Sequence, residues 1–254
     1  MYQEEFEAVS SAAQVKRGLL KRNPAGYILL SMLAGMYIGF GVLLAFTIGG
    51  LLTGNPAAKI VMGASFGVAL SLVVMAGAEL FTGNNLVMAA GTLTGKISYA
   101  EAVKLLLVCY LGNWVGALFL ALLYHLTGLC QGAVEGFMAA AAYTKMTTGF
   151  LPLLTRGILC NFLVCIAAWC AVKCKSESGK LIMIFWCLIA FFTTGFEHSI
   201  ANMTLLTVAL LHPAGQALSL QWYFFNILTV TLGNMIGGIV FAALPYFIAA
   251  REKE

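Results

Sequence analysis

From Tyr27 onward, long apolar stretches alternate with short polar segments along the chain. A helix that crosses the hydrocarbon core of a membrane needs roughly 20 apolar residues, and each stretch reaches that length. The pattern therefore predicts an all-α membrane protein with six transmembrane helices. The stretches are Tyr27–Leu52, Ile60–Gly91, Val103–Thr127, Leu151–Val172, Leu181–Leu211 and Tyr223–Ala250.

Composition supports this class, because 61% of the 254 residues are hydrophobic and only 9% are charged. A mean hydropathy of +0.93 does not suit a water-soluble surface. The net charge of +4 does not indicate nucleic-acid binding, because the basic residues are scattered between apolar runs. We therefore expect a lipid bilayer, and no nucleic acid, around this protein.

The second and fifth stretches carry the same polar motif, Gly-x-Glu-x-x-x-x-Asn. At about 1.5 Å per residue, the second stretch is too long for one straight crossing and too short for two, so broken helices are predicted. A carboxylate at membrane depth is costly and is typical of a permeation pathway. We expect each glutamate to accept hydrogen bonds from backbone donors that the break frees. The two copies are Gly77-x-Glu79-x-x-x-x-Asn84 and Gly195-x-Glu197-x-x-x-x-Asn202.

A second motif, Leu-Gly-Asn-x-x-Gly, also occurs twice, at 111–116 and 232–237. The repetition predicts two three-helix halves, at about residues 25–127 and 150–250, within one channel domain at 23–254. Because each half has an odd number of crossings, the second half must be inverted relative to the first. The motif asparagines, Asn113 and Asn234, are expected to tie helices together, and the glycines to allow close packing.

The distribution of basic residues predicts the orientation in the membrane. With both termini cytoplasmic, only Lys59, Lys145 and Arg156 would lie outside, and all the other lysines and arginines would lie inside. Residues 1–22 contain no apolar core of a signal peptide, and they are predicted to form a cytoplasmic amphipathic segment.

His198 breaks the symmetry of the Glu motif, because the first copy has Leu80 at the equivalent position. A lone histidine in apolar surroundings is more often structural. One at a helix break near the membrane midplane can instead donate a hydrogen bond or a proton to a passing anion. We favour the second interpretation. The cysteines show no Cys-x-x-Cys spacing, so no metal or other cofactor is expected.

Three segments resemble the formate/nitrite transporter family: residues 78–82 (AELFT), 157–161 (GILCN) and 195–203 (GFEHSIANM). The last of these is highly specific, and the resemblance covers essentially the whole chain. It implies an aquaporin-like fold, a homopentamer, and a separate pore in each protomer for formate, nitrite or hydrosulfide. It also implies a location in the bacterial inner (cytoplasmic) membrane.

The resemblance also implies roles for individual residues. The substrate pathway would include His198, Thr82, Asn161 and Lys145. Supporting roles would fall to Glu197, Asn234 and Glu79, and apolar constrictions to Phe66, Leu70, Leu80, Phe81 and Phe191. The residues 143–145 (YTK), which we place in a loop, and Arg156 with Thr193 and Thr194 resemble the nitrite and hydrosulfide branches more than the formate branch.

Two alternatives to an anion channel remain at this point. A membrane-embedded redox subunit could bind haem or quinone through His198 and the cysteines, although paired ligands are lacking. A neutral-solute channel is the other alternative, since Asn55-Pro56-Ala57 resembles the aquaporin signature. That tripeptide occurs once, outside the repeats, and is predicted to form a turn. No enzyme motif is present, so we expect transport without catalysis.

Overall fold

The computed structural model describes residues 2–251, which fold into helices joined by short connections. Two π-helical segments, Val73–Gly77 and Gly237–Ala243, continue the third and tenth helices. The α-helices are α1 (Gln3–Arg22), α2 (Pro24–Leu51), α3 (Ala58–Leu72), α4 (Phe81–Leu93), α5 (Tyr99–Leu126), α6 (Gly132–Thr147), α7 (Phe150–Lys173), α8 (Glu177–Thr194), α9 (Ser199–Leu211), α10 (Leu220–Ile236) and α11 (Leu244–Ala250).

Six helical segments within residues 2–251 are long and apolar enough to cross a membrane, which confirms the predicted number. They are Pro24–Leu51, Ala58–Gly77, Tyr99–Leu126, Phe150–Lys173, Glu177–Thr194 and Leu220–Ala250. The second and fifth predicted stretches each divide into a long helix followed by a helix of 13 residues, α4 and α9. Neither of these short helices could cross a bilayer alone.

Helix α6 was not predicted, and the assignment of residues 143–145 to a loop is wrong. These residues form part of the last turns of this 16-residue helix. The helix is too short to register as a membrane span, although its alanine-rich middle, residues 139–142, has high helix propensity. It packs against α2, α9 and α10.

Close backbone contacts join α2 to α5 and α7 to α10. A Cβ atom added at Gly116 would lie 2.0 Å from the Met32 carbonyl oxygen, and one added at Gly233 would lie 2.4 Å from that of Leu154. Only glycine permits such an approach, so the predicted role of the motif glycines in packing is confirmed. The two helix pairs occupy equivalent places in the two halves of the sequence.

Helix α1 is docked on the rest of the molecule through an apolar face and several ion pairs. Phe6 and Val9 are buried, and the Phe6 ring lies 6.4 Å from the Trp169 ring. Lys96, which precedes α5, bonds the carboxylate of Glu7 and holds the pKa of that carboxyl below its usual range. The ammonium of Lys16 reaches into the interior, where its partner is described below.

An extended segment separates α3 from α4, and another separates α8 from α9. Each interruption begins at a glycine in the left-handed region, Gly77 at φ +80° and Gly195 at φ +85°. Before α4, Ala78 and Leu80 have extended backbone, and before α9, His198 does. An L-residue with a Cβ strains in the left-handed region, so glycine allows each helix to stop within one residue.

The stop at Gly77 generates a testable prediction. A Cβ at Gly77 would meet no atom within 4 Å, so Gly77→Ala adds backbone strain without a clash. We expect it to lower the stability by about 1–2 kcal/mol. Gly83→Ala is the matched control, because it also meets no atom and lies within helix α4. It should be neutral or stabilising. Thermal unfolding in detergent would decide, and equal effects of both variants would contradict the strain argument.

Candidate functional site

The interruption before α4 is held by the side chain of Asn113, which lies on α5. The Phe81 backbone N–H donates to its Oδ1 at 2.9 Å. Its Nδ2 donates to the carbonyl oxygens of Glu79 at 2.8 Å and Ser31 at 2.7 Å. One amide thus satisfies a backbone donor and a backbone acceptor that the interruption leaves without helical partners.

Asn234 on α10 does the same for the interruption before α9. The Ser199 backbone N–H donates to its Oδ1 at 2.9 Å, and its Nδ2 donates to the carbonyl oxygens of Glu197 at 2.9 Å and Gly157 at 2.8 Å. The two asparagines therefore tie helices together, as predicted for both. Their contacts correspond one to one in the two halves of the chain.

Glu79 forms a buried ion pair with a residue of α1. The Lys16 ammonium lies 2.7 Å from both carboxylate oxygens of Glu79. Asn84 donates to the same carboxylate at 2.9 Å. The carboxylate is therefore compensated by a charge that comes from the amino-terminal helix.

Glu197 has an equivalent set of partners. The Lys145 ammonium lies 2.7 Å from its Oε2, and Asn202 also donates to that oxygen at 2.7 Å. Asn226 accepts from Asn202 at 2.9 Å and donates to the Lys145 carbonyl oxygen at 2.9 Å. Lys145 is thereby fixed at both its ammonium and its backbone.

These contacts correct the expected role of the two glutamates. Their carboxylates bond ammonium and amide groups, whereas the freed backbone donors bond Asn113 and Asn234. The physical reason is charge: a buried carboxylate needs a counter-charge, which a backbone N–H does not supply. The backbone N–H groups of Glu79 and Glu197 donate instead to carbonyl oxygens of Leu30 and Arg156.

His198 and Thr82 meet at the point where the two interruptions approach each other. The His198 Nε2 lies 3.1 Å from the Thr82 hydroxyl, and both residues are buried. The His198 Nδ1 accepts the backbone N–H of Ala201 at 3.1 Å and so caps α9. An acceptor nitrogen carries no proton, so the hydrogen-bond network assigns the proton of the neutral ring to Nε2.

Asn161 on α7 adjoins this pair without presenting its amide hydrogens to it. Its Nδ2 donates to the carbonyl oxygens of Thr82 at 3.2 Å and Asn234 at 2.7 Å. Both hydrogens of that nitrogen are therefore used in fixing backbone, and Asn161 links the first turn of α4 to α10.

A small apolar cavity of about 10 Å³ lies on one side of the imidazole. The Phe191 ring stacks on His198, with centroids 6.2 Å apart. Phe81, by contrast, faces away and packs on Tyr110, so its position does not support its assignment as a constriction. The residues around the cavity are Ile38, Phe66, Leu70, Leu80, Val164, Leu188, Phe191 and His198.

A larger cavity of about 430 Å³ opens on the other side of His198, and we call it the vestibule. Its floor includes His198 and Asn202, and its walls include Lys145 and Lys59. The turn at Asn55-Pro56-Ala57 lies at its edge, where the Ala57 N–H donates to the Asn55 Oδ1 at 2.9 Å. The predicted turn is thus confirmed.

Sequence reasoning missed Lys16 and Asn226, along with the cavity residues Ile38, Val164 and Leu188. The signal for Lys16 was Glu79 itself, since a carboxylate at membrane depth requires a counter-charge and α1 offers several basic residues. For Asn226 the sequence shows no comparable signal. Within residues 2–251, no group of three or more His, Cys, Asp or Glu side chains is arranged to hold a metal ion.

A narrow apolar constriction with a hydrogen-bonding centre, reached from an open vestibule and surrounded by membrane-length helices, defines a membrane channel or transporter for small solutes. The sequence model of the formate/nitrite transporter family matches residues 3–248. The chain belongs to this family.

Individual relatives agree with this assignment. The nitrite transporter NirC of Salmonella typhimurium is 40% identical over 250 residues, which cover 98% of this chain and 91% of that protein. NirC of Escherichia coli is 41% identical, with 98% and 92% covered. A solved FNT family ion channel superposes with a TM-score of 0.93 at 38% identity, covering 98% and 99% of the two chains. A pentameric formate channel with formate bound gives 0.79 at 28% identity, covering 90% and 98%.

The Lys145–Glu197 pair leads to a prediction about stability. Lys145→Met removes the counter-charge of the Glu197 carboxylate, and the Glu197 side chain is only 3% exposed. Breaking a buried pair in this way should lower stability by up to about 3 kcal/mol. The double variant Lys145→Met/Glu197→Gln should recover most of that loss, because no charge is left unpaired. Thermal unfolding of the single variant, the double variant and Lys104→Met as control would test this. A double variant as unstable as the single one would contradict it.

Proposed function

We propose that the chain forms a homopentameric channel that carries small monovalent anions of weak acids across a bacterial cytoplasmic membrane, with nitrite as the first candidate. The named substrates of its relatives, nitrite and formate, support this substrate class. Hydrosulfide belongs to the same chemical class. The observation that carries the proposal is the His198–Thr82 pair, placed between the vestibule and the apolar cavity.

The fold proposed for this function is a pair of inverted repeats, each with one broken transmembrane helix, as in an aquaporin-like protein. The correspondence of the two ion-pair clusters supports it: Lys16 matches Lys145, Glu79 matches Glu197, and each cluster includes the asparagine of the Glu motif. In the orientation that the basic residues predict, the vestibule faces outward, and α1 and both termini lie in the cytoplasm.

An anion that reaches the floor of the vestibule meets an apolar constriction that disfavours a bare charge. The narrow cavity beside Phe66 and Phe191 leaves no room for a hydration shell, because its volume is about 10 Å³. Hydrogen bonds from the Nε2–H of His198 and from the hydroxyl of Thr82 would replace part of that shell. Small, weakly hydrated anions are therefore favoured over large or multiply charged ones.

We favour hydrogen-bond donation by His198 over a relay of its proton. Since Nδ1 is engaged by the Ala201 N–H, a second proton on the ring would break the cap of α9. The ring is thus held as a neutral donor. Net movement of protons, where it occurs, would then follow the anion as its conjugate acid, without His198 changing charge.

His198→Asn tests this role. Asparagine is a good N-cap, so α9 should still begin at Ser199, while the Nε2–H donor is lost. A hydrogen bond to a charged group contributes about 1.5–3 kcal/mol, so nitrite uptake should fall about tenfold or more. Stopped-flow uptake into proteoliposomes would measure it, with formate, hydrosulfide, chloride and glycerol as comparison solutes.

The matched control is His125→Asn, which removes an imidazole that is bonded to His212 and lies outside the pathway. This variant should transport as the wild type does. Unchanged nitrite uptake in His198→Asn would contradict the role of His198. Uptake of glycerol but none of the anions by the wild type would contradict the anion channel itself and favour a neutral-solute channel.

A further inference from the structure

Two lysine ammonium groups line the vestibule, but only one of them supplies net charge to it. The Lys145 ammonium lies 2.7 Å from the Glu197 carboxylate, and the Lys145 side chain is only 19% exposed. At distances longer than the pair itself, its positive and negative charges largely cancel. Lys145 therefore contributes little to the attraction of an anion that is still in solution.

Lys59 differs in both respects. It is exposed at the wall of the vestibule, and no carboxylate of residues 2–251 lies within ion-pair distance of it. Its Nζ lies 3.2 Å from the point where a Cβ atom on Gly195 would stand. The ammonium is thus placed over the start of the interruption between α8 and α9, three residues before His198.

The N-terminus of the helix that carries Lys59 has the same sign of charge as its ammonium. Lys59 lies in the first turn of α3, whose N-cap residue, Ala57, provides no side-chain cap. The helix dipole is positive at this end, and the N–H groups of Ala58 and Ile60 donate to the carbonyl oxygens of Asn55 and Ala57. The lysine and the helix terminus therefore act on an approaching anion with the same sign.

We propose that Lys59 is an outer anion-recruiting site at the mouth of the vestibule, and that Lys145 serves mainly to compensate Glu197. The proposal rests on the proposed anion transport through His198. The ligand is any small monovalent anion, because a single exposed ammonium attracts charge without selecting shape. The site raises the local anion concentration in front of the constriction and leaves passage through it unchanged.

Lys59 also lies near the C-terminal end of α8, so a purely structural role in complementing that helix dipole is the competing explanation. The two roles differ in their dependence on salt. Attraction of an anion from solution is screened when the ionic strength rises, whereas loss of folded protein lowers transport at any anion concentration. The comparison therefore needs both a salt series and a substrate series.

The experiment measures nitrite uptake into proteoliposomes against nitrite concentration, at ionic strengths of about 0.01 M and about 1 M set with an impermeant salt. Wild type, Lys59→Gln, Lys59→Arg and Lys104→Gln are compared. Lys104 is the matched control, because it lies on α5 outside the vestibule. Thermal unfolding and oligomer size are recorded for each variant.

At low ionic strength, we expect Lys59→Gln to raise the KM for nitrite about threefold to tenfold with an unchanged maximal rate. At high ionic strength the difference should disappear, and Lys59→Arg and Lys104→Gln should match the wild type throughout. An unchanged KM at low salt would overturn the proposal. An equal loss of maximal rate at both salt concentrations, with lower stability, would also overturn it in favour of the structural role. No anion uptake by the wild type would instead overturn the proposed function on which the site depends.

Discussion

The structure depends on one constraint: two extended interruptions lie among membrane-length helices, and their backbone groups must be paired without water. Asn113 and Asn234 meet this constraint by offering both ends of one amide to each interruption. An unpaired backbone group in such surroundings costs several kcal/mol, so neither interruption would persist without its asparagine. The asparagines, in turn, lie on α5 and α10, whose positions are set by glycine contacts with α2 and α7.

The buried charged groups are also paired, each with a single opposite charge. Lys16 on α1 pairs with Glu79, and Lys145 on α6 pairs with Glu197. Each of these helices precedes the half of the chain that contains its glutamate. Both pairs are neutral overall, which leaves the centre of the protein without net charge. His198 fits this setting because its cap on α9 holds the ring neutral and directs an N–H toward Thr82. In the proposed function, this donor meets an anion without adding a fixed charge that would trap it.

Much of the fold could be predicted because the signals repeat. Hydropathy gave the number of spans, and the two motifs indicated where the chain would stop being helical and which asparagines would bridge. Helix α6 was not predicted because its 16 residues are too few to give the hydropathy signal of a membrane span. The role of Lys16 was not predicted because its ion pair with Glu79 forms only when α1 docks on the rest of the protein. The constriction assigned to Phe81 stays a prediction: Leu80, whose backbone is extended, lines the cavity, whereas the next side chain, Phe81, packs on Tyr110.

In the proposed function, the protonation of His198 links the fold to transport, because one ring nitrogen caps α9 and the other lies against the Thr82 hydroxyl. Solid-state NMR of the reconstituted protein, with nitrogen-15 in the histidines, would measure it, and His198→Asn would identify the signal. The account predicts a protonated Nε2 and an unprotonated Nδ1 near neutral pH, unchanged when nitrite is added. A doubly protonated ring, or a proton on Nδ1, would contradict the cap on α9 and the role of His198 as a fixed neutral donor.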